Sequence, residues 1–315
     1  MKNADKTLKL KDFLETRDIE ECWFHELELA LENVQDGNIG CSALYHLDNM
    51  CYSVFQALQK ENKERHLFRF TGFPLLYDKD GKPKEWESAD CPIIKDINTN
   101  AITLSSPNRF NDPMDPIIKA WIERRKMHPD DKVDKILYQL IKATLDKIRI
   151  CSLVDPLQNN NRRNQSPKIE NCNPLMWAHY ADSHKGICIQ YKVKPSNIFD
   201  TGDMAVRLLD VNYDKPFPLN GNIPFVDSLI VKGDFWRYEK ESRLILYSRS
   251  MKKKDIFFQL QDFEIEAVYM GCRIENEKRN CLKRLLKGTN ISLFQMSFSE
   301  DNITKLKSHR IEFKS

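Results

Sequence analysis

Two glutamates two residues apart, Glu239 and Glu241, stand in the segment WRYEKESR over residues 236–243, which runs straight into the apolar 244–247. Read as a strand, this segment puts Arg237, Glu239, Glu241 and Arg243 on one face, with the two carboxylates about 6.5–7 Å apart along the backbone. Acids so placed beside a buried strand divide labour when their surroundings differ. One orients an acceptor, and the other binds ribose hydroxyls or stabilises positive charge. A solvated ladder of alternating charges is the plainer alternative.

Three further clusters bear chemistry. Arg69 lies between Phe68 and Phe70 on a short β-like segment and faces away from them, because side chains alternate along a strand. It fits a bidentate clamp on a phosphate or carboxylate, or an ordinary ion-paired arginine. The segment from Leu104 to Asp115 carries Ser105, Ser106, Asn111 and Asp112 around Pro107 and Pro113. Its prolines and Asx side chains specify a turn that either closes on itself or faces a ligand. The third cluster, residues 173–186, gathers Trp177, His179, Tyr180, His184 and Lys185. As a helix opened by Asn173 and Pro174 and ended by Gly186, it puts Trp177, Tyr180 and His184 on one face. His179 and His184, five residues apart, stand about 140° from one another around the axis, which does not suit a chelating metal pair.

The elements that hold these residues follow from apolar periodicity. The first 65 residues read as helical, including a stripe from Ser42 to Lys63, and the pattern then changes to short strands. Strands are predicted over 66–70, 101–106, 149–154, 187–191, 206–213, 244–247, 256–260, 265–271, 291–296 and 305–313. Helices are predicted over 117–148, 224–232 and 275–287. The Asn-rich stretch from Asp155 to Asn173 reads as a long loop of the kind used for lids and binding. The expected architecture is α+β, a mixed and split β-sheet with flanking helices over 66–315, preceded by a helical segment over 1–65. That first segment would serve association with a partner or with itself.

Composition narrows the classes. The 315 residues carry 49 Lys and Arg against 46 Asp and Glu, a net charge of +3, so discrete sites rather than a global field must do the work. The nine cysteines contain no C-x-x-C pair, which signals neither a zinc site nor a disulfide framework and suits a reducing cytoplasm. No apolar run approaches the ~18 residues needed to span a bilayer.

Taken in order, FRF (68–70), LSSPNRFNDPMD (104–115), CS (151–152), PLMWAHYADSHKGICIQY (174–191) and WRYEKESRLI (236–245) resemble a large, mostly bacterial family described as a domain of unknown function. The layout is similar to that of abortive-infection proteins of the AbiGi kind and covers about residues 66–271. That resemblance implies a setting in phage defence. A more distant resemblance is to ADP-ribosyltransferases, whose split sheet carries an early Arg or His, a serine strand and a late E-x-E. It implies Arg69 as the nucleotide clamp, Ser105 or Ser106 as the serine, Glu241 as the catalytic acid and Glu239 as the group that orients the acceptor.

The function expected from both is an NAD-dependent ADP-ribosyltransferase or NAD glycohydrolase acting as a cytoplasmic toxin or defence effector. NAD would be its substrate, no metal would take part, and the acceptor would be a protein or nucleic acid. His179 joins the two glutamates as a catalytic candidate. Arg69, Ser105, Ser106, Asn111, Asp112, Trp177, Tyr180, His184, Lys185 and Arg243 are candidates for binding the dinucleotide. Two alternatives remain. One is a sensor without chemistry of its own, holding phosphates through Arg162, Arg163, Lys168, Lys185 and 252–254 and stacking bases on Trp177 and Tyr180. The other is cleavage of nucleic acid by His179 with Glu239 or Glu241.

Overall fold

The computed structural model describes residues 41–73, 76–77, 83–84, 91–112, 114–116, 139, 142–158, 167–198, 200–214, 226–252 and 257–313. Ten strands form one mixed, largely antiparallel sheet: β1 (Arg65–Thr71), β4 (Ile102–Ser105), β5 (Ile148–Val154), β6 (Ile187–Val193), β7 (Met204–Asp210), β8 (Glu241–Ser248), β9 (Phe257–Leu260), β10 (Glu264–Met270), β11 (Ser292–Phe298) and β12 (Leu306–Arg310). A two-residue pair, β2 (Leu76–Tyr77) with β3 (Pro83–Lys84), stands apart. The described helices are α1 (Cys41–Ala57), α2 (Pro92–Thr99), α3 (Leu175–Tyr180), α4 (Asp227–Ile230) and α5 (Asn276–Leu286). The expected α+β class is what the chain adopts.

The sheet forks at β5. One edge of β5 pairs with β8 along its whole length. The other edge is shared: Val154 pairs with Phe68 of β1, and Ile150 pairs with Ser105 of β4. From β1 the sheet continues through β6, β10, β11 and β12, whereas β4 leads to β9 and β8 leads to β7. The parallel pair, β10 with β11, is bridged by α5, as a parallel crossover requires.

Alternation sorts the side chains into two cores. Leu67, Leu153, Ile189, Leu244 and Val268 fill one face. Phe68, Phe70, Val154, Cys188 and Tyr269 fill the other, together with Met176 and Trp177 of α3. Glycine is obligatory where backbones cross beneath α3: a Cβ on Gly186 would strike the Thr71 carbonyl, and one on Gly271 the His184 carbonyl.

All ten predicted strands occur, most within two or three residues of the expected bounds. The helix over 92–99 was not foreseen. It is a two-turn amphipathic piece that buries Ile93, Ile94 and Ile97 behind a Pro at its first position. Most of the helix predicted over 117–148 lies outside the described residues, as do 1–40 and loop positions 159–166. Within the first segment, α1 packs on β7 and β8. Phe55 stacks on Tyr247 at 5.8 Å, the Tyr247 hydroxyl donates to Asp48 Oδ1 at 2.6 Å, and Arg207 reaches the carbonyls of Gln56 and Leu58 at the helix end. No helix among the described residues is long and apolar enough to cross a membrane.

Candidate functional site

The residues 236–243 do not form one continuous strand. Residues Asp234–Glu239 wind into a 3-10 turn, Lys240 takes a left-handed conformation at φ 46°, and the strand begins only at Glu241. Arg237 consequently leaves the row and pairs with exposed Asp214 and Asp234. The turn still brings the two glutamates together, because both reach one cation that the sequence reading overlooked. Lys232 Nζ lies 2.5 Å from Glu239 Oε2 and 3.1 Å from Glu241 Oε2. A third carboxylate, Asp115 Oδ2, stands 3.3 Å from the same nitrogen.

Arg243 closes the cluster. Its Nε donates to Glu241 Oε1 at 2.8 Å, its Nη2 donates to Asp115 Oδ1 at 2.5 Å, and its Nη1 donates to the Leu229 carbonyl. Three carboxylates thus meet two cations, with one surplus negative charge. All five side chains are buried. Burial of unpaired charge is prohibitive, so each group depends on the others.

The supports come from distant parts of the chain. Asp115 donates its amide to the Asp112 carbonyl, the Met114 amide donates to Asp112 Oδ1, and the Phe110 ring lies 5.8 Å from the Arg243 guanidinium. Tyr180, at the end of α3, donates its hydroxyl to Glu239 Oε1 at 2.6 Å. The Glu241 amide donates to the Tyr213 hydroxyl at 2.9 Å, and the Glu241 carbonyl accepts from the Val211 amide. Ser152, exposed in the middle of β5 and opposite Arg243 in the pairing, lies near enough to the Glu241 carboxylate to help lower its pKa. An exposed side chain on a central strand marks the place where this face of the sheet is open.

The two glutamates titrate in opposite directions. Burial pushes Glu239 above the usual carboxylate range and nearby Glu241 adds to the rise, against the pull of Lys232 and the Tyr180 hydroxyl. Burial would raise Glu241 as well, but Arg243 and Lys232, with hydrogen bonds from Arg243 and Ser152, hold it at about 2. Burial raises the Tyr180 phenol, with Glu239 adding to the rise, so it remains a donor.

Of the expected site residues, Glu239, Glu241, Arg243 and Tyr180 converge directly. His179 stands exposed at the rim, its ring 6.4 Å from Trp236, which in turn lies 5.1 Å from Lys232 Nζ. Ser105 is half-buried and pairs with Ile150, on the face that carries Ser152.

The others are placed elsewhere. Arg69 points to the opposite face from Glu241: Phe68 pairs with Val154, Val154 pairs with Glu241, and the neighbouring Arg69 alternates away. There it binds buried Asp96 at 2.9 Å, in the gap between β1 and β4, which is the ion-paired reading rather than the clamp. Ser106 Oγ accepts from the Asn108 amide and caps a turn, and Asp112 braces its own loop. Asn111 is exposed in that loop.

Trp177 is a core side chain, 2% exposed and edge-on to Phe70 at 5.1 Å. The helix that carries it ends at Tyr180, short of Gly186, because Asp182, Ser183 and His184 are all left-handed. His184 stacks on Trp177 through that turn, and burial lowers its pKa. Lys185, half-buried, closes the turn by donating its amide to Asp182.

Lys232, Asp115, Ser152 and Tyr213 escaped the sequence reading. Their signals were slight: a lone lysine directly after the apolar 229–231, an acid closing the proline-rich turn, and a serine inside ICSLV. Among the described residues no set of three His, Cys, Asp or Glu side chains is arranged to hold a metal ion. Comparison with family models, with curated proteins and with solved structures gives no match.

Proposed function

We propose that this cluster is the catalytic centre of an NAD-consuming enzyme, an ADP-ribosyltransferase or NAD glycohydrolase, acting as an intracellular toxin or anti-phage effector. The observation that carries the reading is the pair of glutamates on one ammonium, with Glu239 raised and Glu241 held down. Carboxylates pushed apart in this way are suited to two different roles.

Glu241 is the permanent anion. When the bond between the ribose C1′ and the nicotinamide nitrogen breaks, its electron pair leaves with nicotinamide, and the oxocarbenium-like sugar needs a fixed negative charge beside it. Glu239 is the base. It takes the proton from the hydroxyl, amine or water whose oxygen or nitrogen forms the new bond to C1′. The exposed Ser152 hydroxyl beside Glu241 is placed to contact sugar hydroxyls. A macromolecular acceptor would approach over the rim of His179, Trp236 and the exposed Phe235.

The test is incubation of the purified full chain with labelled NAD and with RNA, DNA and protein acceptors. Nicotinamide release that is lost in Glu241→Gln is expected. Full turnover in that variant would sink the role of Glu241, and absence of turnover with every acceptor and with water would remove the reaction.

A further inference from the structure

Resting on that reading, we propose that Lys232 is the positioning residue of the site: its ammonium separates Glu239 from Glu241 electrostatically, so that they act as two distinct groups rather than one proton-sharing dyad. The geometry is that of a three-way junction. A lysine ammonium has three N–H donors, and Lys232 finds three carboxylates within 2.5, 3.1 and 3.3 Å of Nζ, from Glu239, Glu241 and Asp115. The Trp236 ring lies 5.1 Å away and contributes a cation–π contact. A planar guanidinium cannot reproduce this arrangement, because its five donors lie in one plane.

The backbone that delivers Lys232 is fixed independently of its charge. Val231 forms an isolated parallel bridge with Asn212, the Lys232 amide donates to the Asn212 carbonyl at 3.1 Å, and the Val231 amide closes α4 on Asp227. Arg243 ties the same segment down through the Leu229 carbonyl. The ammonium is therefore presented from a pinned chain.

The groups that face the pair are few. Arg243 of β8 holds Glu241 and Asp115, Tyr180 of α3 holds Glu239, the Tyr213 hydroxyl accepts from the Glu241 amide, Ser152 of β5 lies near Glu241, and His179 stands at the rim against Trp236. Without Lys232, Arg243 would still hold Glu241 and Asp115, but Glu239 would keep only the Tyr180 hydroxyl, and the two glutamates, no longer screened by a shared ammonium, would compete for one proton.

The experiment is carboxyl NMR of the full chain labelled at glutamate Cδ, with signals assigned through Glu239→Gln and Glu241→Gln. In Lys232→Met the two glutamates are expected to titrate as one coupled pair whose upper step lies about one pH unit or more above the wild-type Glu239 midpoint. A folded Lys232→Met protein in which both titrations match wild type overturns the proposal. If that variant does not fold, the wild-type Nζ signal decides: an ammonium resonance that moves as Glu239 titrates supports the role, and one that does not respond overturns it. NAD turnover separates this inference from the reaction it rests on. A wild-type protein inert toward NAD removes the reaction and leaves the titrations to decide Lys232. In an active protein, unchanged titrations in Lys232→Met remove only the role of Lys232, whereas an acid limb of the pH profile that moves up with the coupled pair supports it.

Discussion

Arg243 and Asp115 stand 128 residues apart in sequence and meet through a 2.5 Å hydrogen bond from Nη2 to Oδ1. The same guanidinium binds Glu241, so one fully buried side chain neutralises two acids from different parts of the chain. Arg243→Met leaves both acids buried with only Lys232 to balance them. The expected loss is about 3–5 kcal/mol of stability, read as a fall in the urea midpoint. A loss under about 1 kcal/mol would mean that the cluster is far better hydrated than its burial implies.

Tyr180→Phe removes a hydrogen bond to the Glu239 carboxylate and little else. Because that bond lowers the Glu239 pKa, its loss raises it, and a base must be ionised to act. The acid limb of the pH profile for NAD consumption should move to higher pH. A hydrogen bond to a charged group is worth about 1.5–3 kcal/mol, so the shift should be on the order of one pH unit or more. An unmoved limb would show that Glu239 is not the group that titrates.

Glu241 links the site to acid stability. Its folded pKa, about 2, lies below the ordinary 4.5, so its contribution is fully present above about pH 4.5 and is lost as the pH falls toward 2. Urea midpoints measured between about pH 5 and pH 2 should fall more steeply in wild type than in Glu241→Gln, by an amount on the order of 3 kcal/mol across the window. Parallel curves would place the acid sensitivity in other carboxylates. Glu239, shifted the other way, works against this slope and gains stability as it takes up its proton.

Arg69 tests the site from its far side. Arg69→Ala strands Asp96, which is fully buried and also accepts from the Thr103 hydroxyl and amide, so the variant should be destabilised by a few kcal/mol. Its folded fraction should keep the KM for NAD, because the guanidinium lies on the opposite face from Glu241. A large rise in KM with stability intact would restore the clamp that the sequence suggested.

The sheet was legible because strands such as 187–193 and 264–270 announce themselves by β-branched and aromatic density between turn residues. Glu239, Glu241, Arg243 and Tyr180 were legible as polar residues set against aromatic or apolar runs. What the sequence concealed was long-range. Lys232 and Asp115 look like a helix end and a turn until the fold sets Asp115 between Lys232 and Arg243. The left-handed Lys240 was concealed too, since a lysine gives no local hint of a positive φ. Arg69 shows the reverse case: alternation gave its direction correctly, but only the fork at β5 tells which face is which.

That fork also governs when the site can exist. Its charges come from residues 115, 232, 239, 241 and 243, and Glu241 and Arg243 join the others only with β8 inserted between β5 and β7. Contacts so distant along the chain carry a loop-closure cost that the assembled antiparallel sheet must offset. A ribosome-bound chain that has not yet released β8, or a fragment cut anywhere before it, lacks both Glu241 and Arg243. The five-charge cluster is thus a property of the finished sheet and of no shorter piece of the chain.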